Sequence, residues 1–424
     1  MIPFVSIRRL ASVTLGKMLQ TESSSPLDVQ ANYLRAAHVQ PQGQLISFED
    51  DQVMWFSPTE LRNSSLKAGD VVIVEGGAGF GRSAVLEQDM RGWGFQNSII
   101  RLRPKAGRAH GRFLDYCLQS ALAEGTTSLV CSTATIPHFT AEKVAGFRVP
   151  APTISAQVAI ADFLDRETAK IDALTSRHRQ LVEQLKGRHA ALVDHMVHNG
   201  ISPVLERKDS GVPWIGSIPT HWTVPRIRNL GSARGGLTFD PAEVVDDSRS
   251  GTLVLRAGNI QDGTLNFDDC LYVSTPVPHE LLLRKGDLLI CSRNGSARLI
   301  GKNALIGGQD IDGTWGAFMT VLRSEVNFYL RHVLQSSIFS QQIGLFSTST
   351  INQLTTATLL DMRVPLPPAD EQIQIALAIE EEAERVESVI AVARNSLRLL
   401  DERRAVLITA AVTGQLDLAT GKVA

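Results

Sequence analysis

The segment Gly76-Gly77-Ala78-Gly79-Phe80-Gly81-Arg82-Ser83 follows an apolar run, Val71-Val72-Ile73-Val74, and nearly fits the phosphate-cradling pattern Gly-x-x-x-x-Gly-Lys-Ser/Thr. Arg82 stands where that chemistry needs a compact lysine ammonium. Gly92 and Gly94 follow too soon for a long helix that would aim its amino-terminal dipole at a phosphate. Nucleotide hydrolysis is therefore not expected. A strand ending in a Gly/Ser-rich loop with basic side chains suits DNA better. Arg82 and Ser83, and Arg293, Asn294, Ser296, Arg298 and Lys302 in the comparable stretch after Leu288–Cys291, offer donors to phosphates and guanine edges. Gln96 and Asn97 carry amides of the kind that pair with adenine. Hydroxyls suited to bases or phosphates occur in segments 132–135 and 347–350, at Thr133, Thr135, Thr348 and Thr350, with Asn352 close by. Against each of these stands the plainer reading of a solvated loop with ordinary surface polarity.

No catalytic constellation accompanies them. The chain has no Asn/Asp-Pro-Pro-aromatic tetrapeptide of an amino-methylating enzyme. His110, His138, His221 and His332 are scattered without metal-ligand spacing. The four cysteines form no paired spacing, so neither a zinc site nor a disulfide framework is expected. No catalytic residue, metal or cofactor is expected, and the chain reads as a non-enzyme.

The elements that must hold these loops come in two copies. Val149–Val197 returns as Val364–Val412 at a constant offset of 215 residues. Each copy opens on a proline-rich strand end, Arg148-Val149-Pro150-Ala151-Pro152 or Arg363-Val364-Pro365-Leu366-Pro367, and runs on through Gln157 or Gln372 into a long helical pattern. Ile160, Leu164, Ile171, Leu174, Leu181, Leu185 and Leu192 keep the spacing of a coiled-coil seam, with His178 and Arg188 falling on it. Ile375, Ile379, Val386, Val389, Leu400 and Leu407 match them. The globular parts repeat too. Ile7-Arg8-Arg9-Leu10 matches Ile227-Arg228-Asn229-Leu230, and Leu34-Arg35-Ala36 matches Leu255-Arg256-Ala257. Lys67-Ala68-Gly69-Asp70 matches Arg284-Lys285-Gly286-Asp287, and Trp93-Gly94 matches Trp315-Gly316. The division expected is 1–149, 150–203 (helix), 204–364 and 365–424 (helix).

Bulk properties leave DNA binding open. The net charge is −2 and 43% of residues are hydrophobic, as in an ordinary soluble protein. Acid concentrates on the second helix, at Glu380, Glu381, Glu382, Glu384 and Glu387, leaving the globular parts near neutral. No signal peptide or apolar membrane span is legible, and a reducing cytoplasm is the expected compartment.

One further motif names a family. Ser210-Gly211-Val212-Pro213-Trp214-Ile215-Gly216-Ser217-Ile218-Pro219-Thr220-His221-Trp222 reads as an extended strap packed on a surface. With the duplicated Pro-rich strand ends and helix ends Val197-His198-Asn199-Gly200 and Val412-Thr413-Gly414-Gln415, it resembles the specificity subunit of a type I restriction–modification system. The first copy departs from the pattern, starting at Met1-Ile2-Pro3-Phe4 without its own strap. The resemblance implies an α+β fold of two similar target-recognition domains separated by long conserved helices. These would form an antiparallel coiled coil, an internal duplication with pseudo-twofold symmetry. It further implies a non-catalytic subunit that reads a bipartite site in double-stranded DNA. Two methyltransferase subunits and restriction/translocase subunits would then methylate adenine or cleave, and a nonspecific gap would track the helices. A coiled-coil adaptor whose globular heads bind protein partners is the alternative.

Overall fold

Val71–Val74 is a run of β-branched residues bounded by Gly69-Asp70 and Gly76-Gly77, and all four side chains are fully buried. Leu288–Cys291 is its counterpart, equally buried. Around these two strands the chain builds the same scaffold twice. The structure, a computed structural model, describes residues 2–47, 52–131, 137–201, 206–307, 311–346, 353–417 and 422–423. It divides into two units, Met1–Arg179 with Arg394–Ala424, and Gln180–Ala393.

The first unit contains β1 (Ala11–Leu15), β2 (Val29–Leu34), β3 (Val53–Phe56), β4 (Val71–Val74), β5 (Ser83–Val85), β6 (Gly94–Phe95), β7 (Ile99–Pro104) and α1 (Gly111–Ala123). The long helix α2 (Ile154–Asn199) begins in it. One antiparallel sheet has the order β1-β7-β4-β5, and a smaller sheet has the order β3-β2-β6 with β2 and β6 parallel. The second unit contains β8 (Gly231–Gly235), β9 (Thr252–Leu255), β10 (Leu288–Cys291), β11 (Asn303–Leu305), β12 (Gly313–Trp315), β13 (Met319–Ser324) and α3 (Asn327–Val333). The long helix α4 (Ala369–Thr413) begins there. Its sheet order, β8-β13-β10-β11, and its parallel β9–β12 pair repeat the first unit strand for strand.

The matched segments close equivalent turns in the two copies. Gly69 and Gly286 take φ of +83° and +88°, a conformation costly for any residue with a Cβ. The next residue closes the turn: Asp70 accepts from the Lys67 N–H and Asp287 from the Arg284 N–H, both at 2.9 Å. Each buried carboxylate then meets an arginine of the neighbouring strand, Asp70 with Arg103 at 2.6 Å and Asp287 with Arg323 at 3.0 Å. Leu34-Arg35-Ala36 and Leu255-Arg256-Ala257 both lead into a 3-10 turn, capped through the Arg35 N–H by His38 and through the Arg256 N–H by Asn259.

Each unit packs its sheet on the start of one long helix and the end of the other. In the first unit Phe113, Leu114, Val149, Ile160 and Leu164 share a core with Ile408, Ala411 and Val412. In the second, Tyr329, Leu330, Val364, Ile375 and Ile379 share one with Val193 and Val197. The helices therefore run antiparallel within each unit. The strap is part of the second core: Ile218 and Trp222 are fully buried, and the Trp222 indole N–H donates to Glu371 at 3.1 Å.

The seam needs correction. Leu174, Leu181 and Val389 are each at least 40% exposed, whereas Thr168, Ile171, Thr175 and Val182 on α2 and Val386, Ile390 and Ala393 on α4 are buried. Threonine can fill a seam because its hydroxyl returns to its own helix, as Thr168 does to the Leu164 carbonyl at 2.7 Å. Arg404 is buried as well, its head donating to Asp172 at 2.5 Å. Arg188 is exposed, and His189 takes the half-buried place beside it.

Candidate nucleic-acid interface

At one end of the first sheet four segments are tied by backbone hydrogen bonds. The Glu75 N–H donates to the Ser98 carbonyl (3.0 Å), the Asn97 N–H to the Lys17 carbonyl (2.8 Å) and the Phe139 N–H to the Glu75 carbonyl (2.8 Å). The β4–β5 hairpin crosses this end through a single 3-10 turn, Gly77–Gly79. It closes with the Gly81 N–H donating to the Val74 carbonyl and the Val74 N–H to the Arg82 carbonyl. Gly81 takes φ of +73° there, and Arg82 emerges next, half-buried. A strand, not a helix, begins at Ser83, so the loop does not lead into a helix amino terminus and the phosphate-loop pattern has no geometric basis.

The second unit repeats this end with other side chains. The Gly301 N–H donates to the Cys291 carbonyl and the Cys291 N–H to the Lys302 carbonyl, with Gly301 at φ +84°. Lys302 thus takes the place of Arg82. The Ser292 and Arg293 N–H groups both donate to the Phe318 carbonyl at 3.0 Å, and the Leu354 N–H to the Ser292 carbonyl at 2.7 Å. Arg293 therefore takes the place of Gly76, Phe318 of Ser98 and Leu354 of Phe139.

Most of the described candidate residues converge on these ends. Arg82, Gln96 and Asn97 share the first, all half-buried. Arg293, Asn294, Ser296, Arg298 and Lys302 share the second, with Arg293, Ser296 and Arg298 exposed. Some polar groups are partly engaged locally: Asn294 accepts from the Ser296 N–H at 3.0 Å, and Gln96 from the Ser98 hydroxyl at 3.3 Å. Thr133, Thr135, Thr348, Thr350 and Asn352 lie outside the described residues.

Two readings are corrected. Ser83 is only 3% exposed, and its hydroxyl donates inward to Asp115 at 2.6 Å. Burial pushes the Asp115 carboxyl up to about 6, against the bonds from Ser83 and Gln119 that favour its charged form. Ser83 is thus core, because the first residue of β5 faces α1. The Trp93–Trp315 match is also displaced. Leu34 pairs with Phe95 and Leu255 with Trp315, so Phe95 holds the Trp315 position, both fully buried. Trp93 lies two residues earlier, edge-on to His38 with ring centroids 6.1 Å apart.

Sequence reasoning missed Phe318. It is 59% exposed, and the Arg293 guanidinium lies over its ring, 5.3 Å from the centroid. Beside Met319-Thr320-Val321 it reads as part of an apolar strand. The signal that could have found it is the register, which sets Gly316-Ala317-Phe318 against Gln96-Asn97-Ser98. Among the described residues no group of three or more His, Cys, Asp or Glu side chains could hold a metal ion. Among them, too, no helix is long and apolar enough to cross a membrane.

Residues 57–184 match the family model described as the type I restriction modification DNA specificity domain. The type I restriction enzyme EcoKI specificity subunit of Escherichia coli (strain K12) is 26% identical over 207 residues, 47% of this chain and 44% of that protein. The chain's alignment thus spans less than half the length of that relative. The MjaVIII specificity subunit of Methanocaldococcus jannaschii is 21% identical over 331 residues, covering 76% of this chain and 73% of that one. A solved chain, described under the complex assembly and conformational transition of the type I R-M system, has the same fold. Its TM-score is 0.67 at 16% identity, over 97% of this chain and 98% of that chain. In sequence and in fold the chain is similar to the specificity subunits of type I restriction–modification systems. The adaptor reading is not favoured by these likenesses.

Proposed function

We propose that the chain is a specificity subunit that reads a bipartite site in double-stranded DNA, one half with each sheet end. Its heads are residues 1–149 and 204–364, and the helical segments 150–203 and 365–424 set the gap between the half-sites. One observation carries the reading. A basic side chain stands at the same backbone position in both units, Arg82 and Lys302, amid different neighbours. A common phosphate contact with divergent base contacts is what two readers on one frame require. Arg82, Gln96 and Asn97 are assigned to the first half-site, and Arg293, Asn294, Ser296, Arg298 and Lys302 to the second.

The subunit supplies no chemistry of its own in this reading. Adenine methylation or cleavage belongs to partners, two methyltransferase subunits and restriction/translocase subunits, in the cytoplasm. Methylated adenines mapped in cells carrying the full-length chain and its methyltransferase should fall in a split motif with an unread gap. Affinity of the full chain for that duplex should fall steeply as salt rises, because phosphate contacts release counterions. A continuous motif, or binding indifferent to salt, would overturn the proposal.

A further inference from the structure

Phe318 and Arg293 form a unit that the rest of the loop lacks. The Phe318 carbonyl accepts three hydrogen bonds, from the Ser292 and Arg293 N–H groups at 3.0 Å and from the Ser292 hydroxyl at 2.9 Å. The backbone carrying the ring is thereby fixed to the backbone carrying the arginine. Arg293 is held on its other side by a β-bridge to Gln353. Both side chains reach solvent, and the guanidinium lies over the ring. A lone exposed phenylalanine is unremarkable on a protein surface. One fixed at three points beneath an exposed guanidinium is a platform.

The physical consequence is orientation. Bidentate contact with the O6 and N7 edge of guanine needs the planar guanidinium fork held in one plane. A free arginine on a loop loses side-chain entropy to reach it. Stacking on an aromatic face restricts the guanidinium before DNA arrives. Arg298 sits on the same loop, exposed, with no aromatic ring beneath it among the contacts of the described residues.

We infer that Phe318 is a positioning residue that holds Arg293 for bidentate reading of one guanine in the second half-site. The inference rests on the DNA reading proposed above. It also contains its own control, because the first unit has Ser98 and Gly76 at these positions and so has no such device.

The test combines methylation mapping in cells with binding of the full chain to the mapped duplex, for the wild type, F318A, F318W, R293A and the F318A/R293A double variant. R293A should weaken cognate binding roughly 5- to 150-fold and relax one guanine position of one half-site. F318A should relax the same position, and the double variant should bind no worse than R293A alone. F318W should keep the wild-type motif, and the other half-site should not change in any variant. Both residues are exposed, so melting should stay at the wild-type value. Wild-type motif and affinity in F318A would overturn the inference. So would losses that multiply in the double variant, or a loss equal on all sequences. If instead the wild-type chain shows no salt-dependent DNA binding, the DNA reading itself falls, a result distinct from each of these.

Discussion

Arg82 and Lys302 follow the two left-handed glycines, Gly81 and Gly301, and a phosphate contact there would be indifferent to sequence. R82A or K302A should weaken binding to all duplexes alike and lower the salt slope by about 0.9 for each phosphate lost. Salt titration of each variant checks this; a relaxed base position in its methylation motif would assign the residue to a base instead. His332 supports a prediction of another kind. It is 2% exposed, neither ring nitrogen meets a hydrogen-bond partner among the described residues, and burial, reinforced by Arg331 and His189, drives its pKa down to about 3. The unfolded imidazole, near 6.5, takes up its proton first, so the second unit loses stability as pH falls from 6.5 towards 3. Between pH 7 and pH 5 the loss is about 2 kcal/mol. Urea midpoints of the H332L chain should not show that slope; an unchanged slope would place the acid sensitivity elsewhere. At this scale legibility was uneven. Basic residues after a glycine-rich strand end were visible in the sequence, while the inward turn of Ser83 depended on which face of β5 meets α1.

The two long helices were legible as elements, and their buried faces only in part. Leucines at three-and-four spacing marked Ile160, Leu164 and Ile171, which are buried, and also Leu174 and Leu181, which are not. The mid-helix packing uses Thr168, whose hydroxyl returns to its own helix, Thr175, and Arg404, whose head meets Asp172, and hydrophobicity alone does not register them. Ile390, 2% exposed and packed with Val182 and Val386, should cost about 2–5 kcal/mol on truncation to alanine. V389A, one residue away and 43% exposed, should cost less than about 1 kcal/mol. Denaturant unfolding of both variants decides between the observed seam and the leucine pattern, which reverses the order.

The duplication was the most legible feature of the whole chain, because the offset of 215 residues and the matched tetrapeptides survive in sequence. The equal order of the four-stranded sheet built around Val71–Val74 and Leu288–Cys291, and equal hairpin closures in the two units, give it physical content. What sequence could not supply was the local register at unlike loops, as the displaced Trp93–Trp315 match and the unnoticed Phe318 illustrate. Register there is set by strand pairing, and pairing is not encoded within either strand alone. The central claim is that each unit reads its own half-site on a common frame. Its most direct measurement is the methylated motif of a chain whose residues 223–362 are replaced by the equivalent segment of a type I specificity subunit. The account predicts a motif changed in one half and unchanged in the other. A motif changed in both halves would contradict it.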